Sequence, residues 1–559
     1  MEGHSDNKVS DGHNIARNLR LAGSAISPGL AVGKAFVYRD LLSRDETTIP
    51  ISPSQVDVEH ARLEQAQESV LEELASSRRR VEAQLTSSLA DIFRAHDEML
   101  RDPVLLKEIA DEIEDELLRV EEAVRRVFCR WVERFRTSGN RTTAGRAEDV
   151  ADLARRLLRA LRGITVHPLE EMPDGSVLVA QRLAPSDAMH FCGRAAAVIV
   201  EFGTPGAHCA PMARQVGIPV VGNIPDVITH IPSGSSVLVD GFEGAVLVNP
   251  DDDAQARFRA RRDHYAAEGA AAKQKAQEPA VTADGVAIPV AANITSRADA
   301  ELAAENGADG VGLYRIEALF MCRKALPTED ELVEDLLHTL EPLGQKPCII
   351  RLLDVGGDKT LPYLKLPPEE SPFLGRWGIR LLFAYPELLN VQARALLRLS
   401  EQLAVQIMVP MVTVSEDMNR PRQFIESAAS ELGIAPIPPL VAMIETPAVA
   451  LSVKAILQSA DALSIGTNDL TQYVMAAGRQ NPLANEYFRE DHPAVMRLIR
   501  IACQDAGPAP VGMCGELAGR LRVIPALLRA GIRLFSVAPR LIPLVKDAIR
   551  HAETLPEPG

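Results

Sequence analysis

No stretch of this chain approaches the ~18 consecutive apolar residues that a bilayer-spanning helix needs, which argues against membrane insertion. The opening residues, Met1 to Asn14, are polar and charged, with no apolar run of the signal-peptide kind. Paired CxxC cysteines are missing. The seven cysteines, at 129, 192, 209, 322, 348, 503 and 514, are scattered and odd in number. That pattern argues against a disulfide framework or a zinc site and for reduced thiols in a cytoplasm. Positive charge is in deficit, with 60 Lys and Arg against 76 Asp and Glu, for a net −16. Such a surface disfavours nucleic acid, whose binding draws on phosphate neutralisation. It leaves room for a basic partner protein, or for a small anion gripped by arginines gathered in one cleft.

What is present is ample core. The 559 residues, 46% of them hydrophobic, suffice for three or four domains at roughly 150 residues each. Residues 1–20 read as a tail, and a β-like segment spans Leu21 to Asp40. From Ser52, apolar residues at Leu63, Val70, Leu74, Val81 and Leu85 recur at helical spacing. Asp102-Pro103 offers an N-cap and a first-turn proline for a helix whose apolar face is Leu106, Ile109, Ile113 and Leu117. Residues 45–145 are therefore expected to be all helical, inserted into an α/β unit made of 21–44 and 146–250. A linker helix is expected at 251–280.

The remainder, 281–555, carries eight apolar runs: Ile288–Asn293, Val311–Arg315, Cys348–Asp354, Val405–Met411, Leu440–Glu445, Ala462–Asp469, Pro510–Glu516 and Arg533–Val537. Helix-length segments separate most of them, the count and size of a (β/α)8 TIM barrel. Polar residues end several runs: Arg315, Arg351, Glu445, Asn468 with Asp469, and Cys514. Chemistry sits at that end of such barrels. Arg315, Arg351 and Arg479 could grip a substrate bearing both carboxylate and phosphate. Glu445 and Asp469 could share Mg²⁺, Asn468 could orient a phosphate, and the Cys514 thiol could deliver a proton to a carbanion-like enol. Taken singly, an arginine is more often an ion-pair residue, a cysteine a core residue, and a strand-end carboxylate a helix cap. Their joint position on one rim is what favours a site.

His208 lies in Gly203-Thr-Pro-Gly-Ala-His-Cys-Ala-Pro-Met-Ala-Arg214, after a β-run and at an expected helix start. Free amides and the helix dipole favour an anion there, and a neutral imidazole is a competent nucleophile toward phosphorus. The plainer alternative is a structural histidine in a Gly-rich turn.

The order of several motifs resembles phosphoenolpyruvate–protein phosphotransferases, the enzyme I family of the bacterial sugar phosphotransferase system, over roughly residues 21–550. These are Ser27-Pro-Gly-Leu-Ala-Val-Gly-Lys34, Ala95-His-Asp-Glu-Met-Leu-Arg-Asp-Pro103, Gly310-Val-Gly-Leu-Tyr-Arg315, Ile350-Arg351 with Gly356-Gly-Asp-Lys359, and Pro372-Phe-Leu-Gly375. The most specific are Ser464-Ile-Gly-Thr-Asn-Asp-Leu-Thr-Gln-Tyr473 and Gly512-Met-Cys-Gly-Glu-Leu-Ala-Gly519. The resemblance implies an N-terminal α/β phosphohistidine domain carrying His208, with inserted helices that dock an HPr-like phosphocarrier protein. It also implies a barrel that dimerises. Arg315, Arg351, Asn468, Asp469 and Arg479 would bind phosphoenolpyruvate, Glu445 and Asp469 would hold Mg²⁺, and Cys514 would protonate enolpyruvate.

The chain departs from the family pattern at several points. Gly206 and Ala207 stand where the family has two hydroxyl residues before the histidine. Gly375-Arg376-Trp377 replaces Gly-Trp-Arg, which in a strand would turn the arginine to the other face. Gly478 replaces an acidic residue before Arg479, and Ile316 and Ala318 alter a Leu-Tyr-Arg-Thr-Glu-Phe motif. Two readings follow: an active phosphotransferase, or a divergent regulatory paralogue that binds phosphoenolpyruvate with weak or no phosphoryl transfer.

Overall fold

The computed structural model describes residues 17–42, 50–84, 96–97, 99–137, 141–164, 167–183, 187–202, 213, 216–321, 323, 325–356, 361–364, 366–367, 369–478 and 482–554. The chain divides into two compact units, Met1–Arg44 with Val166–Tyr265, and Asp45–Thr165 with Ala266–Gly559.

The first unit is built on an eight-stranded sheet. Its strands are β1 (Leu19–Ala22), β2 (Ser24–Ser27), β3 (Leu30–Tyr38), β4 (Val177–Ala180), β5 (Ala197–Val200), β6 (Val220–Gly222), β7 (Ser236–Asp240) and β8 (Ala245–Val248). They lie in the order β1-β8-β7-β3-β4-β5-β6-β2. The neighbours from β3 to β6 are parallel. Alternate residues feed two cores: Val177, Val179, Ala197 and Ile199 enter one, and Leu178, Ala180, Val198 and Val200 the other. Cover on both faces explains why these strands read as unbroken apolar runs. The segment expected as one β stretch at 21–40 is three strands. Gly29 takes φ +138, where a side chain would be strained, so the chain turns there.

The second unit contains the expected helices, Val56–Gln84, Pro103–Asp115, Val120–Thr137 and Arg141–Leu161. Leu63, Val70 and Leu74 are buried as their spacing requires. The Val81 side chain and Leu85 lie outside the described residues. The Asp102 carboxylate accepts from the Val104 amide at 2.8 Å, capping the second helix. Its buried face is Leu105, Ile109 and Ile113 rather than one through Leu106 and Leu117. Leu117 falls beyond the helix end at φ 51, and Leu118 is buried instead. The last helix runs past the boundary expected at 145, because Leu153, Ala154, Leu157 and Leu158 continue its buried stripe. A polar helix, Asp252–Gln274, follows β8 in the chain and spans the boundary at Tyr265.

The barrel strands are β9 (Val290–Ile294), β10 (Val311–Arg315), β11 (Cys348–Arg351), β12 (Val405–Val409), β13 (Leu440–Ile444), β14 (Ala462–Ile465), β15 (Val511–Met513) and β16 (Leu534–Val537). All pair in parallel, and β16 closes on β9 with Phe535 opposite Val290. Several strands end sooner than the expected runs, among them β11, β12, β14 and β15. β14 ends at Ile465, and Thr467–Met475 is a helix, so Asn468 and Asp469 stand in its first turn and not on a strand. Among the described residues, no helix is long and apolar enough to cross a membrane.

Candidate active site

Strand parity assembles the site. Leu313, Ile349, Met408, Val441 and Met443 form one small cluster, while Tyr314, Ile350, Ile407, Val409, Ala442 and Ile444 pack into the larger outer core. Side chains alternate along a strand, so Arg315 and Arg351 at the ends of β10 and β11, and Glu445 just after β13, continue the inward series. Asn468 and Asp469 arrive from the helix after β14, and Cys514 from the end of β15. All six line one cavity of about 300 Å³. Close backbone packing shapes its floor: a Cβ on Gly515 would sit 2.0 Å from the Thr467 hydroxyl, so only glycine fits. His208 and Arg479 lie outside the described residues, as do Gly206, Ala207 and the Gly357-Asp358-Lys359 segment.

The two described arginines are held differently. Arg351 is buried and paired with Glu317 and, at 2.9 Å, with Asp354. Burial alone would lower its pKa, but Asp354, Glu317 and Glu445 together hold the guanidinium charged. Arg315 is half-buried and makes no ion pair or hydrogen bond among the described residues, so its cation is available to an incoming anion. Asn468 Oδ1 accepts from the Glu516 amide at 2.9 Å, which leaves its NH₂ as donor.

Carboxylates dominate the rest. Two arginines face Glu317, Asp354, Glu445 and Asp469 on the cavity wall. Burial, then the charges of Asp469 and Asp354, push Glu445 well above the usual carboxylate range. Its Oε1 is fixed by the Met411 amide at 2.6 Å, from a residue at φ 56. An anion entering this cavity would meet excess negative charge, and a cation shared by Glu445 and Asp469 would relieve it. That donor set fits Mg²⁺, which is commonly bound by one or two carboxylates plus substrate oxygens. Among the described residues, no cluster of three or more His, Cys, Asp or Glu is arranged to hold a metal without such help. Burial pushes the Cys514 thiol pKa up, so the sulfur keeps its proton.

Sequence reasoning missed Glu317, Asp354 and Trp377. The two carboxylates carried a usable signal: Glu317 is two residues past Arg315 and Asp354 three past Arg351, close enough in the chain to pair across the rim. The strand argument for Arg376 and Trp377 requires correction. Residues 375–378 form an irregular link between a short turn, Pro372–Leu374, and a helix, Ile379–Ala384. Strand alternation does not apply, yet Arg376 is exposed, its amide donating to Glu369, while Trp377 is buried in the cavity wall.

Comparison with known proteins agrees with this geometry. The chain matches the family described as PEP-utilising enzyme, PEP-binding domain over residues 269–554. It matches the corresponding N-terminal family over 22–146 and the mobile-domain family over 172–244. The phosphoenolpyruvate-protein phosphotransferase of Geobacillus stearothermophilus is 35% identical, covering 94% of this chain and 92% of that one. That of Haloferax volcanii is 37% identical over 96% and 94%. The NMR structure of Enzyme I (nEIt) covers 44% of this chain and 99% of its own at 29% identity, with a TM-score of 0.35 too low to bear on the fold. With identity above 30% across nearly the whole length and a cavity that gathers the rim residues, the chain belongs to the phosphoenolpyruvate-protein phosphotransferase family.

Proposed function

We propose that this protein transfers the phosphoryl group of phosphoenolpyruvate to its own His208 and then to a histidine of an HPr-like carrier, releasing pyruvate as the first step of a sugar phosphotransferase system in the cytoplasm. The observation that carries this reading is the convergence of Arg315, Arg351, Glu445, Asn468, Asp469 and Cys514 on one cavity. Arg315, whose guanidinium has no partner among the described residues, binds the substrate's anionic groups. Arg351, Asn468 and Arg479 add donors. Glu445 and Asp469 hold Mg²⁺, which supplies charge neutralisation to the transferring phosphoryl group.

In the reaction, a neutral ring nitrogen of His208 forms a bond to phosphorus as the bond from phosphorus to the enol oxygen breaks. The electron pair leaves with enolpyruvate. Cys514 gives its proton to the methylene carbon, making pyruvate, and the thiolate regains a proton from water. The elevated thiol pKa suits a donor that must stay protonated until then.

The barrel also has a surface suited to a homodimer. Leu374, Val414, Leu451 and Tyr487 are large apolar side chains left exposed, one in each segment that follows β11, β12, β13 and β14. Where such side chains adjoin, they form the kind of surface that monomers seldom leave uncovered.

One observation favours the second reading, a phosphoenolpyruvate-binding regulator: the exposed Arg376 leaves the cavity one cation poorer, with Trp377 in the wall. Incubation of the purified chain with phosphoryl-labelled phosphoenolpyruvate and Mg²⁺ separates the two. Acid-labile label on the protein, lost in His208→Ala, is the expected result. Binding of phosphoenolpyruvate with no label would leave only the regulator.

A further inference from the structure

We propose that the indole N–H of Trp377, together with the Nε–H of Arg351, donates to an oxyanion of the bound substrate, so that Trp377 is a substrate ligand and not merely part of the barrel core. The inference rests on the phosphoenolpyruvate reading above and adds a residue to it.

Trp377 is 1% exposed and stands in the wall of the cavity. Indole nitrogen is a donor with no acceptor capacity, and buried donors of this kind nearly always find a partner. This one has none. The ring is held in place. Phe373 packs against it at a tilt, with centroids 5.0 Å apart, and the Phe373 carbonyl is itself fixed by the Tyr473 hydroxyl at 2.5 Å. The next residue, Gly378, adopts φ +57 and lies so near Asp354 that a Cβ would sit 3.2 Å from Oδ1. The indole's neighbour in the chain thus lies against Asp354, the partner of Arg351.

Arg351 presents the matching half. Its terminal nitrogens engage Glu317 and Asp354, and its Nε is likewise buried without an acceptor among the described residues. Two unaccepted N–H donors in residues that line one cavity, each nitrogen exposing less than 1 Å², are what a phosphate or carboxylate oxygen would satisfy after a small side-chain shift. A structural tryptophan explains the burial but not the absent acceptor. The indole is also uncharged, so it adds a hydrogen bond where Arg376, turned outward, adds no charge.

The test uses the full chain with phosphoenolpyruvate and Mg²⁺. In a Trp131→Phe background, Trp377 supplies the sole indole N–H resonance, since the chain has two tryptophans. Saturating phosphoenolpyruvate should move that resonance downfield. Calorimetric titration of Trp377→Phe, which keeps an aromatic ring and deletes the donor, should give about tenfold or weaker affinity, the loss expected for one hydrogen bond to a charged group. If the parent binds phosphoenolpyruvate while the indole resonance stays put and Trp377→Phe binds equally well, the proposal is overturned and the substrate reading stands. If Trp377→Phe does not fold, the resonance alone decides. A parent chain that binds no phosphoenolpyruvate would overturn both.

Discussion

Arg315 and Arg351 bring the same guanidinium to the same cavity, but they should fail differently when removed. Arg315 has no partner among the described residues to strand, so Arg315→Ala should leave stability within about 0.5 kcal/mol. It should weaken phosphoenolpyruvate binding about tenfold or more, by the cost of a charge-assisted hydrogen bond. Calorimetric titration beside a denaturation curve measures both. Arg351→Ala instead leaves Glu317 and Asp354 as buried carboxylates beside Glu445, in a site already crowded with negative charge. Breaking a buried pair from one side costs about 3–5 kcal/mol, and chemical unfolding of the barrel should shift accordingly. Equal stability of the two variants would mean that the Arg351 network does not bear on the fold. The rim position of both arginines was legible from the apolar runs they end, whereas their inward turn was not, because these strands are buried on both faces. Their different pairing was not legible either, because it depends on carboxylates reaching across the rim.

At the scale of elements, the end of the barrel's last helix is tied to the segment that enters the barrel. Lys546, fully buried in the helix Ile542–Arg550, donates to the carbonyls of Ala276 and Glu278 and to Asp309 at 2.9 Å. Arg550 adds bonds to the carbonyls of Lys275, Glu278 and Pro279. Lys546→Met keeps the apolar stem and removes the charge. It should destabilise the barrel by about 2 kcal/mol, since Asp309 is partly solvated and retains some hydration; a denaturation midpoint unchanged from wild type would contradict this. No spacing in the sequence announced the contact, which joins residues some 270 positions apart. The eight strands themselves were legible, since each is a short apolar run. Their ends were less so: the run through Asp469 looked continuous, but the strand stops before Gly466, where a side chain would crowd Met443 and Glu445, and a helix starts at Thr467.

For the whole molecule, the exposed apolar residues after four consecutive strands predict self-association. Sedimentation across a range of concentrations should show a dimer, and Leu374→Asp with Leu451→Asp should shift it toward monomer without unfolding, since both side chains are exposed. A wild-type monomer at every concentration would refute the dimer. The acidic balance of the chain acts at the same scale, favouring a carrier with a basic face.

The sequence by itself determined the barrel, the α/β character of the first unit, the helical block and the strand-end positions of Arg315, Arg351 and Glu445, because periodicity and run length are local properties of the chain. Only the tertiary structure decided that Arg351 is locked while Arg315 is open, and that Trp377 rather than Arg376 faces the cavity. Those outcomes arise where separate strand ends meet, and the burial and charge balance at that meeting place are sums over residues far apart in the sequence.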